Sequence, residues 1–400
     1  IEIVDSYTIV FHLIEPSVAW WLALTDNGSG LYNLIVCKKY VETVGETEAM
    51  TNPIGSGPYR LVDHKFGDSL TFEALDEHWR VVPEFKYLII KLIPEDSTAM
   101  AMLKTGAIDI SNIPSQYVAE MEESGFKVGT KPAGDDVFLM FGGMIDPHDK
   151  RYEEGYSQQD PWVDVRVREA MNIALDRQAI VDALYPGGIG VVRTLAWTLP
   201  GWEDFEPIPY DPARAKQLLV DAGYPDGFSF KVISWPKEFE IEKLMMTVAG
   251  YWEEIGLKPE IVMTDYPTYK AQNRDIGKTA GDIYSVSSYL KVDQFDSIVL
   301  RLAYDCASPA FQNEELQAFI DRFRRELDWN KRNAIWPEFD EYLYNNYIFL
   351  PIATVLNPWV YNPEKVETGV PPGMTNEPYN FAYLRHAEPL NTFRLFDLDK

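Results

Sequence analysis

The sequence predicts an α/β fold of packed helix and sheet layers, and three observations carry that expectation. Segments with helical apolar spacing stop at Gly106, Gly125 and Gly256 and pass at once into apolar, β-type residues, as when helices alternate with strands. Residues 228–263 read strand, amphipathic helix, strand, a unit expected to close onto a parallel pair by a right-handed crossover. The chain has 400 residues, 46% of them hydrophobic and 14% aromatic, enough to fill two or three cores at roughly 150 residues per domain.

The elements follow in order. Tyr7-Thr8-Ile9-Val10-Phe11-His12-Leu13 is β-branched and aromatic and reads as the first strand. The turn Pro53-Ile54-Gly55-Ser56-Gly57-Pro58-Tyr59 leads into strands over 57–63, 68–75 and 86–93. Ser97 is placed to cap a short helix ending at Gly106, with a strand over 107–111 after it. Ser115 is placed to cap another helix that runs to Gly125. Val137-Phe138-Leu139-Met140-Phe141 is a strand, followed by a polar loop from Asp146 to Asp160. In the next helix Val167, Met171, Ala174 and Leu175 share a face. Asp176 caps its successor, which stops at Pro186-Gly187-Gly188. Asp211-Pro212 joins an N-cap to a proline at the first helical position, and Gly223 closes that helix. The strand over 228–234 alternates. The helix after it carries Ile241, Leu244, Met245, Val248, Trp252 and Ile255, and 257–263 is the next strand. Leu316, Phe319, Ile320, Phe323 and Leu327 form one stripe of an amphipathic helix, before a helix around 331–346 and a strand over 347–354. The tail from 357 is rich in Pro, Asn and aromatics and has no clear period, and no internal repeat is present.

A formal net charge of −26 repels phosphate backbones and anionic lipid, so no nucleic-acid partner is expected. No apolar run approaches the ~18 residues needed to span a bilayer. The opening residues Ile1 to Tyr7 have neither a basic nor an apolar signal region, and the chain reads as a processed or truncated piece of something longer. Cys37 and Cys306 stand far apart with no C-x-x-C, and read as two isolated buried thiols rather than one long-range disulfide.

Motifs for chemistry are scarce. The histidines, His12, His64, His78, His148 and His386, never recur at helical spacing, so no metal site can be built locally. No G-x-S-x-G elbow occurs. Gly187-Gly188-Ile189-Gly190 follows a helix rather than a strand and reads as a turn, not a dinucleotide loop. The acidic pairs Glu122/Glu123 and Glu253/Glu254 read as solvated helix faces. Trp197, Trp202 and Trp235 lie in loops or at strand ends, where an aromatic ring either stacks on a ligand or plugs the surface of its own lobe. No cofactor is implied, and the chain is expected not to be an enzyme.

One family combines these features. Asp211-Pro212-Ala213-Arg214-Ala215-Lys216-Gln217-Leu218-Leu219-Val220-Asp221-Ala222-Gly223-Tyr224-Pro225-Asp226-Gly227-Phe228 resembles the "Y-D-P-x-x-A-x-x-L-L-x-x-A-G-Y-P-x-G" signature of the family 5 extracellular solute-binding proteins. These are the dipeptide, oligopeptide and nickel-type receptors of ABC importers. Pro53 to Tyr59 resembles the family's "P-x-G-T-G-P-Y" turn, and Leu103 to Asp109 its "L-x-x-G-E-I-D". Asp164 to Ala170, with Ala174-Leu175-Asp176-Arg177, resembles "D-x-R-V-R-x-A…A-x-D-R". With the Ile255-Gly256-Leu257 turn, five stretches stand in the family's order.

The resemblance implies a two-lobed periplasmic-binding-protein-like fold, with a hinge and an inter-lobe ligand cleft. Residues 1–50 would be a remnant of the family's small extra domain, 51–135 with 357–400 lobe one, and 136–356 lobe two. It further implies an extracytoplasmic, monomeric receptor that takes a small organic solute, peptide-class or oligosaccharide-like, to ABC permease subunits in the membrane. Read through that topology, Asn112, Phe138, Met140, Trp197, Tyr289, Lys291 and Asn357 would line the cleft.

One departure bears on the ligand. Peptide-binding members place a Trp and an Asp after the "F-D" strand, the Asp pairing with the peptide's amino group. After Asp282-Ile283-Tyr284, the matching positions are Ser288 and Lys291. A lysine repels an ammonium group. Either Asp293 or Asp296 takes the role in a shifted register, or the solute is not an ordinary free-amine peptide. Neutral oligosaccharides and anionic solutes gain from this, and nickel loses, since no histidine lies between 148 and 386. Two other readings stand beside the receptor: a sensor domain of a cytoplasmic transcriptional regulator with the same fold, and a carbohydrate-active enzyme using cleft carboxylates.

Overall fold

The chain opens on a two-strand hairpin, β1 (Glu2–Ile3) and β2 (Ile9–Val10), shorter than the strand expected over Tyr7–Leu13. Asp5 accounts for the difference, because its Oδ1 accepts the Tyr7 N–H at 2.7 Å and turns the chain there. The computed structural model describes residues 1–14, 16, 35–129, 135–152, 154, 158–185, 205–235, 241–274, 280–289, 301–304, 306, 309–355, 358–368 and 384–386.

Strands β3 (Tyr59–Lys65), β4 (Ser69–Ala74) and β5 (Tyr87–Lys91) form an antiparallel meander. The helix Asp96–Lys104 starts from Glu95 in extended conformation, so Ser97 lies inside its first turn rather than at its cap. Gly106 (φ +72°) closes it, and the Ala107 and Ile108 N–H groups both turn back to the Met102 carbonyl. That return delays the next strand, β6 (Ile110–Asn112), past the expected 107. Ser115 opens a 3₁₀ turn that precedes the helix Val118–Glu123, without capping it through its side chain. Strand β7 (Lys127–Gly129) follows.

A mixed five-stranded sheet comes next, in the order β10-β9-β11-β8-β12. Its members are β8 (Asp135–Phe141), β9 (Ser229–Ser234), β10 (Lys258–Met263), β11 (Asp282–Tyr289) and β12 (Phe349–Val355). The β9–β10 pair is parallel, as the strand–helix–strand reading expects, and β11 is parallel to β9. Strand β8 is antiparallel to both neighbours, so it alone runs against the other four. Finally β13 (Trp359–Tyr361) inserts between β6 and β7, and β14 (Val366–Thr368) pairs with β15 (Leu384–His386).

These elements divide into two units: Ile1–Asn33 with Asp135–Val355, and Leu34–Gly134 with Leu356–Lys400. In the first unit, helices with correctly placed caps present their apolar faces to the sheet. Asp164 accepts the Arg166 N–H, Asp176 the Ala179 N–H, and Asp211 the Arg214 N–H, each satisfying a donor that helix geometry leaves open. Val167, Met171, Ala174 and Leu175 are all fully buried, as their spacing predicts. Trp252 packs in the same core and donates its indole N–H to the Met171 carbonyl at 2.9 Å. Side chains of that size, fully buried, each contribute roughly 1.5–3 kcal/mol.

The helix Glu314–Arg325 buries Leu316, Phe319, Ile320 and Phe323, but ends before Leu327, which is exposed. The single helix expected over 331–346 is two, Trp329–Asn333 and Trp336–Asn345. Proline at 337 cannot donate an N–H to the preceding turn and starts the second helix instead. In the second unit a smaller core joins Met100, Leu103, Ile113, Met121 and Val360. Cys37 is exposed and Cys306 buried, and both are free thiols; the exposure of Cys37 departs from the buried pair expected, because the helix it opens buries no residue.

Candidate functional site

Because four strands of the first unit's sheet share a direction, their carboxyl ends gather at one edge, where β8 begins. Asp135 is the register partner of Tyr289 on one side and of Val355 on the other. In the next row Asp136 lies between Ser288 and Thr354. Two points where the chain changes units, after Gly134 and after Val355, therefore lie at this edge beside the end of β11. In open α/β sheets the carboxyl ends of strands are where ligands are met.

An aromatic cluster stands past the ends of β9 and β10. Trp235 follows Ser234 directly, with its ring 4.3 Å from that of Tyr269 and 5.6 Å from that of Tyr266. The two tyrosines stack at 6.3 Å, and the Lys270 ammonium lies 5.3 Å from the Tyr266 ring. Asp265 fixes the turn that carries them, accepting the Thr268 N–H at 2.9 Å and its hydroxyl at 2.6 Å, and these bonds hold its carboxyl below its ordinary pKa. Beneath the cluster Tyr269 donates its hydroxyl to the Ser285 carbonyl, and the Ser234 and Ser285 hydroxyls meet at 2.6 Å. Tyr269 is thus locked, while Tyr266 is 48% exposed. The arrangement is a rigid aromatic shelf with a cation at its rim, suited to stacking on planar or apolar parts of a solute.

The residues proposed from sequence fall in different places. Phe138 and Met140 share a face of β8, but both are in the core of the first unit, with Phe138 edge-on to Phe349 at 5.7 Å. Strand β8 is interior to its sheet and Val137 to Phe141 are buried on both faces, so alternation along it cannot single out an open side. Tyr289 ends β11 at the edge described above. Asn112 ends β6 in the second unit, is exposed, and is the register partner of Trp359. Trp197, Lys291, Asp293 and Asn357 lie outside the described residues. Trp235 carried a sequence signal, a tryptophan at a strand end; Tyr266 and Tyr269 lie on a helix whose neighbours only the fold reveals.

At the opposite edge, where β11 begins, sit two acids with raised pKa values. Burial pushes Asp160 up to about 6, countered only by the Gly281 N–H, and its Oδ2 is buried without a hydrogen-bond partner. Burial likewise pushes Asp282 up to about 6, with Lys231 opposing and Asp160 and Glu260 adding to the rise. Among the described residues, no three His, Cys, Asp or Glu side chains are grouped to hold a metal ion.

Comparison with known proteins places this geometry. Residues 1–300 match the family described as bacterial extracellular solute-binding proteins, family 5 Middle. Among curated relatives, heme-binding protein A of Haemophilus influenzae is 26% identical over 365 residues, covering 88% of this chain and 64% of that protein. The glutathione-binding protein GsiB of Salmonella paratyphi A is 28% identical over 270 residues, covering 66% of this chain and 49% of that protein. The chain thus spans about half to two thirds of the length of these relatives. Among solved structures, the periplasmic binding protein DppA of Helicobacter pylori, in complex with the peptide STSA, superposes with a TM-score of 0.79 at 18% identity, covering 97% of this chain and 74% of that one.

Proposed function

The chain belongs to the bacterial extracellular solute-binding proteins of family 5, and from that premise we propose that it captures a peptide-class solute outside the cytoplasm and delivers it, unaltered, to the permease of an ABC importer. The observation that carries this reading is the carboxyl edge of the first unit's sheet, where Tyr289, Asp135 and Val355 stand side by side. In this reading the paired crossings serve as a hinge and closure accompanies capture. The relatives lend the ligand class: one is named for glutathione, itself a small peptide, and the structural neighbour holds a four-residue peptide. The exposed ring of Tyr266 supplies a stacking surface, and Tyr289, Lys291, Asp293, Asn112, Trp197 and Asn357 remain proposed contacts. The strong negative charge supports a protein with no nucleic-acid partner, acting as a monomer.

Titration calorimetry with dialanine, trialanine and glutathione, followed by mass spectrometry of the recovered solute, tests the reading. One-to-one binding with the solute intact is expected. Stoichiometric release of a cleaved product would show an enzyme, and indifference to every peptide would remove the ligand class.

A further inference from the structure

Four tryptophans are buried in described parts of the chain with at most 3% exposure: Trp162, Trp252, Trp336 and Trp359. Two of them satisfy their indole N–H in the usual way, Trp162 on the Gly142 carbonyl and Trp252 on the Met171 carbonyl, both at 2.9 Å. Trp359 does not. Its Nε1 is closed off from water and has no acceptor. A buried donor left without a partner costs about 1–3 kcal/mol, so such groups are rare and call for an explanation.

The surroundings of this indole are built. Trp359 lies in β13 between two strands, opposite Asn112 on β6 and Gly129 on β7. The next residue, Val360, is fully buried in the second unit's core, so Trp359 points to the other face of the sheet. The ring packs directly against Gly129. A Cβ at that glycine would stand 2.4 Å from the indole Cε2 and 2.7 Å from Nε1, so any larger residue would displace it. Tyr361 stacks on the ring at 5.2 Å, with Lys127 as that tyrosine's register partner on the same face. The ring is therefore held by Gly129 and Tyr361 while its one polar atom is enclosed without a partner.

The geometry points to Trp359 as a ligand-binding residue of the second unit, its indole N–H donating to a carboxylate or amide carbonyl oxygen of the captured solute. The inference rests on the solute-binding reading above and adds a specific donor to it. An indole N–H can only donate, so it selects for an acceptor and disfavours a solute that presents an ammonium or N–H group there. Lys127, one row along the same face, favours a carboxylate over a neutral carbonyl.

The test uses the full chain with ¹⁵N-labelled tryptophan. Of the eleven indole signals, the one absent in Trp359→Phe belongs to Trp359. Sodium acetate, N-methylacetamide, dialanine, trialanine and glutathione are titrated in turn, with calorimetry alongside and melting temperatures of both proteins recorded. We expect a downfield shift of the Trp359 signal with a carboxylate or carbonyl compound, and about a tenfold weaker affinity in Trp359→Phe, the size of one hydrogen bond. Acetate acting without N-methylacetamide would identify the acceptor as a carboxylate. Gly129→Ala, whose Cβ would collide with the indole and displace it, should weaken the same binding. If a peptide binds while the Trp359 signal stays fixed and Trp359→Phe binds equally well, the inference falls and the solute-binding reading stands. If no peptide binds but acetate or N-methylacetamide still moves the signal, the donor site stands and the peptide reading fails. If nothing binds and nothing shifts, both are wrong.

Discussion

Arg177 donates its Nε–H to the carbonyl of Pro351 across 2.6 Å, tying the helix Arg177–Leu184 to strand β12. Proline has no N–H for the ladder, and the register of β12 shifts between Pro351 and Ala353. The same guanidinium donates to the Asn172 carbonyl at 2.8 Å and to Asn172 Oδ1 at 2.9 Å. Burial lowers the pKa of Arg177 to about 10, so it keeps its charge at neutral pH. Arg177→Met would strip the Pro351 carbonyl and Asn172 Oδ1 of the donors this side chain supplies, while the Asn172 carbonyl keeps the Leu175 N–H, and urea unfolding should show a loss of about 3 kcal/mol. Arg214→Met is the control: its ion pair with Glu169 is exposed on the arginine side, and its removal should cost under about 1 kcal/mol. Equal losses in the two variants would contradict a structural role for the buried clamp.

Two glycines of the 211–228 signature separate backbone freedom from close approach. Both have positive φ, +93° at Gly223 and +65° at Gly227. A Cβ at Gly223 would meet nothing within 4 Å, whereas one at Gly227 would fall 1.9 Å from the Gly256 carbonyl oxygen. Gly223→Ala should therefore cost only the conformational penalty, about 1 kcal/mol. Gly227→Ala must also push apart the turns that precede β9 and β10, and should cost at least twice as much, on the order of 2–4 kcal/mol. Thermal melts of the two variants at equal concentration decide it, and the ordering is what matters.

Much of the fold was legible because its signals are local. Asp176 and Asp211 cap where the sequence placed them, and Gly106, Gly125, Gly223 and Gly256 all adopt the positive φ that closes a helix. The apolar faces of 165–173 and 241–254 followed from spacing alone. The failures are of another kind. Ser97 is a good cap residue by type, but Glu95 already has the extended backbone that begins the helix. Leu327 keeps the helical spacing past the point where Arg325 ends the helix. In β8 every residue from Val137 to Phe141 is apolar and buried, so nothing in the pattern says which neighbours lie on which face. The orphan donor of Trp359 was invisible for a similar reason. It depends on Gly129, which lies far away in sequence and opposite it in space.

Asp160 predicts a pH dependence of unusual sign. Its carboxyl titrates near 6 in the folded chain against an ordinary value of 3.8, raised by burial. Between those values the folded state holds a proton that the unfolded state has released. Stability from this group is therefore present below about pH 4 and is lost as pH rises towards 6. Asp160→Asn keeps an oxygen for the Gly281 N–H and removes the charge. It should be more stable than the parent above pH 6, on the order of 1 kcal/mol once contact with water is allowed for, and the gap should close near pH 4. The lowered carboxyls of Asp149 and Asp164 act in the opposite direction in both proteins, so the quantity to plot is the difference between the two unfolding curves. A gap independent of pH would mean that Asp160 stays ionised.

Tyr266 and Tyr269 should separate binding from stability. Tyr269 is buried and bonded through its hydroxyl to Ser285, whereas nearly half of Tyr266 faces water. Tyr269→Phe should lower stability by about 1 kcal/mol. Tyr266→Ala should leave the melting temperature nearly unchanged while weakening any solute that stacks on it by roughly threefold to tenfold. Tyr266→Phe, which keeps the ring, should restore that affinity; failure of the restoration would move the solute off the aromatic shelf.

Lys291 stands two residues beyond Tyr289 in the sequence, and the family resemblance implies that it takes the place of an aspartate that would hold a peptide's amino group. If it meets the solute there, a free-amine peptide would bring two positive charges together. At about 4 Å and an effective dielectric near 20, the repulsion is on the order of 4 kcal/mol, up to roughly a thousandfold in affinity. Asp293 and Asp296, close by in sequence, would reduce that figure. The chain should therefore prefer N-acetylated dipeptides to their free-amine forms, and Lys291→Asp should reverse the preference. Calorimetry with dialanine and N-acetyl-dialanine on both proteins measures this at two ionic strengths. A charge at the rim would fade between 0.05 M and 0.5 M salt, as the screening length shrinks from about 14 Å to about 4 Å, whereas a charge enclosed with the solute would not. A parent that favours the free amine, together with a variant that gains nothing, would make Lys291 a solvated surface residue and return the amine contact to Asp293 or Asp296.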